Sequence, residues 1–173
     1  DPAAVTRLGV LDSVPTHTVV ARTDRHLAAA YWHFFCSQAP ALPEVRISAA
    51  PEPFLRYLFR ALTFRAGAID EAMVREYLRA FTLPGTIRAT LEDYRAAAAR
   101  DFEDDERDLA KRVRCPVLAI WGEFGKMHGM FDVLATWKEK AESVEGHPLP
   151  CGHFIPEEAP EELLTDLRSF LAS

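Results

Sequence analysis

Two short apolar runs stand out against a longer, mixed background. Val5 to Leu11 (VTRLGVL) ends at Asp12, with Pro15 shortly after, and Val117 to Trp121 (VLAIW) lies between Pro116 and Gly122. Runs this short and this apolar predict strands covered by helices on both faces. Between them, roughly a hundred residues carry a helical pattern. Stretches near Asp24 to Cys36 and from about Glu52 to Thr63 read as helices, with the prolines at 40, 43, 51 and 53 breaking them apart. Asp70 offers an N-cap for a helix over Glu71 to Phe81. Pro84 to Ala99 forms another, helped by the alanines from Ala96 to Ala99. The acidic segment Asp101 to Asp108 reads as a polar connector. Beyond the second strand, Phe131 to Val144 is amphipathic, Gly146 to Leu149 is a short third strand, and Glu157 to Leu171 is a closing helix entered through Pro156.

Strands that alternate with helices imply an α/β fold with a mostly parallel sheet. Three strands make a poor sheet by themselves, because one edge stays bare. The expectation is that earlier strands belong to a segment upstream of Asp1. Functional groups in such sheets gather at the carboxyl ends of the strands. Two candidates sit there. Asp12 follows the first strand, and His153, in Cys151-Gly152-His153-Phe154, lies between the last strand and the last helix. A carboxylate beside a histidine fixes the imidazole tautomer and stabilises the imidazolium as it forms. Each residue alone also suits a turn or a cap, so the pairing and the order carry the argument. Glu123, after the second strand, is the reserve candidate for the acid.

Composition narrows the classes. Hydrophobic residues make up 49%, enough for a packed core. A net charge of −6 argues against a nucleic-acid partner. No apolar run is long enough to span a membrane, and the start Asp1-Pro2-Ala3-Ala4 carries no basic signal region. Cys36, Cys115 and Cys151 have no ligand-like spacing and read as small core residues of a reducing, cytoplasmic compartment. No metal-ligand cluster, phosphate loop or dinucleotide fingerprint is present. His17, His26 and His147 read as surface residues, and His128 as structural.

Several strings together carry a resemblance. Val10-Leu11-Asp12 with Pro15-Thr16 resembles the acid-bearing strand of the fluoroacetate dehalogenases, α/β-hydrolases whose nucleophile precedes the acid and the histidine in the chain. Ala30-Tyr31-Trp32-His33-Phe34-Phe35, then Gln38-Ala39-Pro40 and Leu42-Pro43-Glu44, resemble that family's cap. Glu92-Asp93-Tyr94-Arg95-Ala96 and Asp101-Phe102-Glu103 resemble its later cap segment. Gly152-His153-Phe154 with Pro156-Glu157-Glu158-Ala159-Pro160 is similar to its histidine loop. The resemblance implies a partial α/β-hydrolase fold. Residues 1–12 would form the core strand bearing the acid, 13–108 a helical cap, and 109–173 the carboxy-terminal part of the core.

The resemblance also implies a chemistry. An upstream aspartate displaces halide from a haloacetate, and water activated by His153 with Asp12 hydrolyses the ester to a 2-hydroxy acid. No cofactor and no metal are expected. The family's halide pocket maps onto His33, Phe34 and Tyr94. Phe34 departs from the family's tryptophan, and phenylalanine has no N–H to donate. For Tyr31, Trp32, Phe34 and Phe35 the bland reading is cap packing. Rival readings are an epoxide hydrolase, in which Tyr94 with Tyr31 or Tyr57 would meet the epoxide oxygen, an esterase of the same fold, and a non-catalytic binding protein. The chain alone is expected to be inactive. Its expected partners are a small-molecule substrate and either the amino-terminal half of the same enzyme or a second copy in a homodimer.

Overall fold

The computed structural model describes residues 4–172; Asp1 to Ala3 and Ser173, the outermost residues of the expected first and last segments, lie outside them. Three parallel strands lie in the order β1 (Leu8–Leu11), β2 (Val117–Gly122) and β3 (Val144–Leu149). The register runs Leu8 beside Val117 and Val117 beside Val144. The three expected strands are therefore present, with β1 beginning three residues later, at Leu8 rather than Val5, and β3 two residues earlier than the sequence suggests.

Strand β2 is buried along its whole length, and its alternation divides the core in two. Leu118 and Ile120 pack with Leu149, Cys151, Ile155, Leu163 and Phe170, against the closing helices α11 (Ile155–Glu158) and α12 (Pro160–Ala172). Trp121 packs on the opposite side with Val14, Met127 and Val133, against α9 (Lys126–Met130) and α10 (Val133–Lys140). Strand β1 is different. Among the described residues it pairs only with β2, and Val5 and Leu11 stay exposed. A cleft of about 750 Å³ lies at the amino ends of the strands, lined by Val5, Leu8, Val113 and Glu142 among others.

The long β1–β2 crossover holds α1 (Thr16–Ala21), α2 (Arg25–Ala30), α3 (Trp32–Ser37), α4 (Leu42–Ala49), α5 (Pro51–Leu62), α6 (Glu71–Phe81), α7 (Thr86–Ala96) and α8 (Phe102–Arg107). Asp70 caps α6 as expected, its carboxylate accepting from the Met73 N–H at 2.8 Å. Several expectations need correcting. The stretch from Asp24 to Cys36 is two helices, because Tyr31 leaves helical geometry and packs against the core around Trp121. Pro43 and Pro51 open helices rather than break them. Pro53 also lies in the first turn of α5, where backbone N–H groups have no intrahelical partner to lose.

The acidic connector is helical. A π turn over 97–101 leads into α8, and Asp104 pairs with Arg100 and Arg107 at helical spacing, offsetting the crowded negative charge. Asp132 caps α10 at its start, and the chain leaves that helix after Lys140, so Val144 belongs to β3. The cysteines do not share one environment: Cys151 is buried, Cys115 partly so, and Cys36 exposed. His17 is not a free surface residue. Its ring stacks on Phe102 with centroids 5.0 Å apart, and it pairs with Glu106, joining α1 to α8. His26 and His147 are exposed, as expected.

Candidate active site

Strand β1 ends where Asp12 turns into the left-handed region, with φ of 45°. That conformation is uncommon for a residue with a Cβ, though aspartate tolerates it better than most. The turn is held on both sides. The Asp12 N–H donates to the Ile120 carbonyl at 2.8 Å, and the next residue, Ser13, accepts from the Trp137 indole at 2.8 Å. The Asp12 carboxylate is thereby placed over the end of β2, where Oδ1 accepts from the Gly122 N–H at 3.0 Å.

Its other oxygen, Oδ2, lies 2.6 Å from Nδ1 of His153. The Asp12 side chain is 1% exposed and that of His153 39%, so the acid is sealed and the imidazole stays open on one side. Bonding through Nδ1 leaves Nε2 outward, and it makes no hydrogen bond to a described residue. Glu123 is exposed and forms no hydrogen bond or ion pair with His153, so the geometry places Asp12, not the reserve acid, beside the imidazole.

Two glycines let the histidine loop reach this position. A Cβ on Gly122 would lie 2.1 Å from the Gly152 carbonyl oxygen, and a Cβ on Gly152 would lie 2.6 Å from that of Leu62. The loop thus crosses the end of β2 and the end of α5 at distances only glycine allows. The His153 N–H then donates to the Leu62 carbonyl at 3.0 Å. Cys151, two residues before the histidine, is fully buried, and that burial pushes its thiol up to about 11, which disfavours the thiolate.

A cavity of about 90 Å³ opens beside the pair. Asp12, His153, Tyr31, Thr63, Phe64, Phe124 and Lys126 contribute to its lining. Phe64, from the segment after α5, and Phe124, from the loop after β2, stack with centroids 3.9 Å apart. Lys126, after β2, donates to the Ala30 carbonyl at 2.8 Å and so ties this segment to the end of α2 beside Tyr31. Burial, and next the Asp12 carboxylate, push the Tyr31 phenol well above its ordinary value, so it remains an O–H donor.

The three expected halide residues lie in the helical β1–β2 crossover, outside the lining of this cavity. The His33 ring neighbours Tyr31 at 5.8 Å, and Phe34 stands edge-on to Tyr94 at 5.8 Å. Burial first, then Lys126, then His153 push His33 down to about 4. At neutral pH its ring is therefore uncharged and has one N–H to offer. Burial also raises the phenol of half-buried Tyr94. Tyr57 is exposed, against Trp32, and His128 accepts from the Trp121 indole at 2.9 Å. Among the described residues no group of histidine, cysteine and carboxylate side chains could hold a metal ion, and no helix is long and apolar enough to cross a membrane.

Sequence reasoning missed Phe64, Phe124, Lys126 and the weight of Tyr31. The phenylalanines carry no local signal, because only the fold brings the two loops together. Tyr31 lay inside an aromatic string and was readable as packing.

No family model matches the chain. It is 36% identical over 173 residues to a fluoroacetate dehalogenase from Burkholderia sp., which covers 99% of this chain and 57% of that protein. It is 32% identical over 145 residues to a soluble epoxide hydrolase from Corynebacterium sp. (strain C12), covering 80% of this chain and 48% of the relative. A crystal structure assigned as an alpha/beta hydrolase from Nostoc sp. PCC 7120 superposes with a TM-score of 0.95 at 46% identity, covering 98% of this chain and 59% of the other. The chain spans about half the length of the curated relatives it matches. Over that shared part it has the α/β-hydrolase fold, and it is a homologue of the Burkholderia fluoroacetate dehalogenase.

Proposed function

We propose that this chain supplies the cap and the water-activating half of a haloacetate dehalogenase. The observation that carries the reading is the Asp12–His153 pair, sealed on the carboxylate side and open at Nε2. A complete catalytic cycle needs an aspartate nucleophile from the part of the relatives that this chain does not span. That carboxylate attacks the carbon bearing the halogen, forms an ester, and the halide leaves with the bonding electrons. Water then attacks the ester carbonyl while His153 Nε2 takes its proton. Asp12 stabilises the resulting imidazolium, and as the tetrahedral species collapses the His153 proton passes to the departing alkoxide, which regenerates the aspartate and releases the 2-hydroxy acid. His33 and Tyr94 each bring a donor toward the leaving halide, and Phe34 brings none. No step calls for a cofactor or metal.

An epoxide hydrolase reading shares the nucleophile and the His153 half-reaction. It draws specific support from Tyr31, a protonated phenol on the lining of the Asp12–His153 cavity, which could donate to an opening epoxide oxygen. Full-length protein separates the two when assayed with chloroacetate, fluoroacetate and a terminal epoxide. Halide release with glycolate formation is expected, and diol formation without halide release would sink the dehalogenase reading. The open edge of β1 is proposed to pack against the amino-terminal part of the same enzyme, with a second copy of the chain as the rival occupant. The 173-residue chain alone is proposed to release no halide.

A further inference from the structure

Glu158 is a charged residue sealed in the core, at 2% exposure, and the chemistry above does not use it. A buried carboxylate is costly unless its oxygens are fully met by donors. Here they are met entirely by backbone. Oε2 accepts from the N–H groups of Phe64 at 2.8 Å, Arg65 at 2.8 Å and Gly152 at 3.0 Å. Oε1 accepts from the Phe154 N–H at 3.1 Å.

Two of these donors flank His153 in sequence, and the other two belong to the turn after α5 that lines the cavity. The His153 N–H itself donates to the carbonyl of Leu62, the last residue of α5. Arg65 tightens the same joint, its guanidinium donating to the Glu158 carbonyl at 2.6 Å and the Pro150 carbonyl at 3.1 Å. Bonds to an ionised acceptor are the stronger kind, and four of them converge here.

We propose that Glu158 is a positioning residue whose buried carboxylate fastens the histidine loop to the cavity wall, so that His153 and Leu62–Phe64 move as one body. The inference rests on reading His153 as the base that activates water. Glutamine at 158 has one acceptor oxygen. Placed where Oε2 lies, it keeps the bonds to Phe64, Arg65 and Gly152 and turns an NH2 toward the Phe154 N–H. The loss therefore falls on the histidine side of the joint.

The test compares the full-length protein with Glu158→Gln and His153→Asn. Misplacement of a catalytic group by a fraction of an ångström to an ångström costs up to about a hundred-fold in rate. For Glu158→Gln, kcat should fall about ten- to a hundred-fold, while kcat/KM, which reports the steps through halide release, stays within about three-fold. The ester intermediate should accumulate in intact-protein mass spectra, and amide exchange should quicken at Phe154 but hardly at Phe64 and Arg65. Equal loss of kcat and kcat/KM would mean fewer folded molecules and would overturn the proposal, as would unchanged kcat and Phe154 exchange. Normal turnover by His153→Asn would instead overturn the base assignment beneath it. If Glu158→Gln does not fold, Glu158→Asp keeps the charge one methylene short. It should release one of the two loops and show the same split between kcat and kcat/KM.

Discussion

The two halves of the candidate site are built differently. On the core side, the acid and the histidine loop are held by directional hydrogen bonds in which one partner is backbone. Asp12 is fixed by the Ile120 carbonyl and the Gly122 N–H, and the His153 loop by Leu62 and Glu158. On the cap side, His33, Phe34 and Tyr94 are placed by rings leaning on rings, with Tyr31, Trp32 and Phe35 as their neighbours. Backbone bonds fix a side chain's origin to a fraction of an ångström and leave few alternatives. Ring contacts tolerate sliding, since edge-on pairs are worth only about 0.5–1.5 kcal/mol beyond their buried area. On the reading proposed above, the core side would serve the water-activating step, and the helical side would be the easier one to retune.

The comparison is broken most directly at Asp12. In full-length protein, Asp12→Asn keeps the shape but takes away the charge that steadies the imidazolium. A fall in kcat of about 10³- to 10⁴-fold is expected, by analogy with the same change in serine-protease triads. Ester hydrolysis should carry the loss, so the alkylated enzyme should build up under single-turnover conditions. A fall of less than ten-fold would remove the pair from the reaction.

Gly152→Ala tests the close crossing. Its new Cβ would meet the Leu62 carbonyl oxygen at 2.6 Å, and both are backbone, so neither yields cheaply. Overpacking of this kind costs about 1–3 kcal/mol. Urea denaturation should show that loss together with reduced turnover. Wild-type stability would mean that the loop has room to spare.

The contrast between the halves also governs what the sequence discloses. Asp12 and His153 were legible because strand ends and chain order place them, and those depend on apolar runs that are easy to read. The close passage of Gly122 over Gly152 was not legible, because it joins residues thirty apart that only the sheet brings together. The helix α8 was hidden by its charge, since a run of acids reads as solvated until Arg100 and Arg107 are counted at helical spacing. Tyr31 misled in the opposite way. Its place in an aromatic helix pattern predicts continued helix, yet the core cluster around Trp121 takes its ring and breaks the helix there.

A smaller effect is expected at Phe34. Its ring touches Tyr94 and Phe35, and it lies outside the lining of the cavity beside His153. Phe34→Trp adds one N–H donor next to Tyr94. Fluoride concentrates its charge and needs donors more than chloride does, and a donor to a charged acceptor is worth about 1.5–3 kcal/mol. The ratio of fluoroacetate to chloroacetate turnover should rise about ten-fold in the full-length variant. An unchanged ratio with lowered stability would assign Phe34 to cap packing alone.

The smallest effect concerns His33 and pH. Burial, Lys126 and His153 together hold its folded value near 4, against 6.5 for the free side chain. Between those two values the unfolded chain binds a proton that the folded protein refuses. Folding stability must therefore rise with pH across the window and fall on acidification from 6.5 toward 4. One proton sets a ceiling of about 1.4 kcal/mol per pH unit, and the partial exposure of the ring keeps the real slope below it. His33→Gln removes the titrating group while keeping a polar side chain of similar reach. Thermal melts of full-length protein from pH 7 down to pH 4 should show the variant losing less stability than the parent across this window, with the two curves parallel above it. If the curves stay parallel throughout, His33 takes up its proton as readily in the folded protein as in the unfolded chain. The cap side would then be far wetter around His33 than its packing against Tyr31 and Trp32 implies.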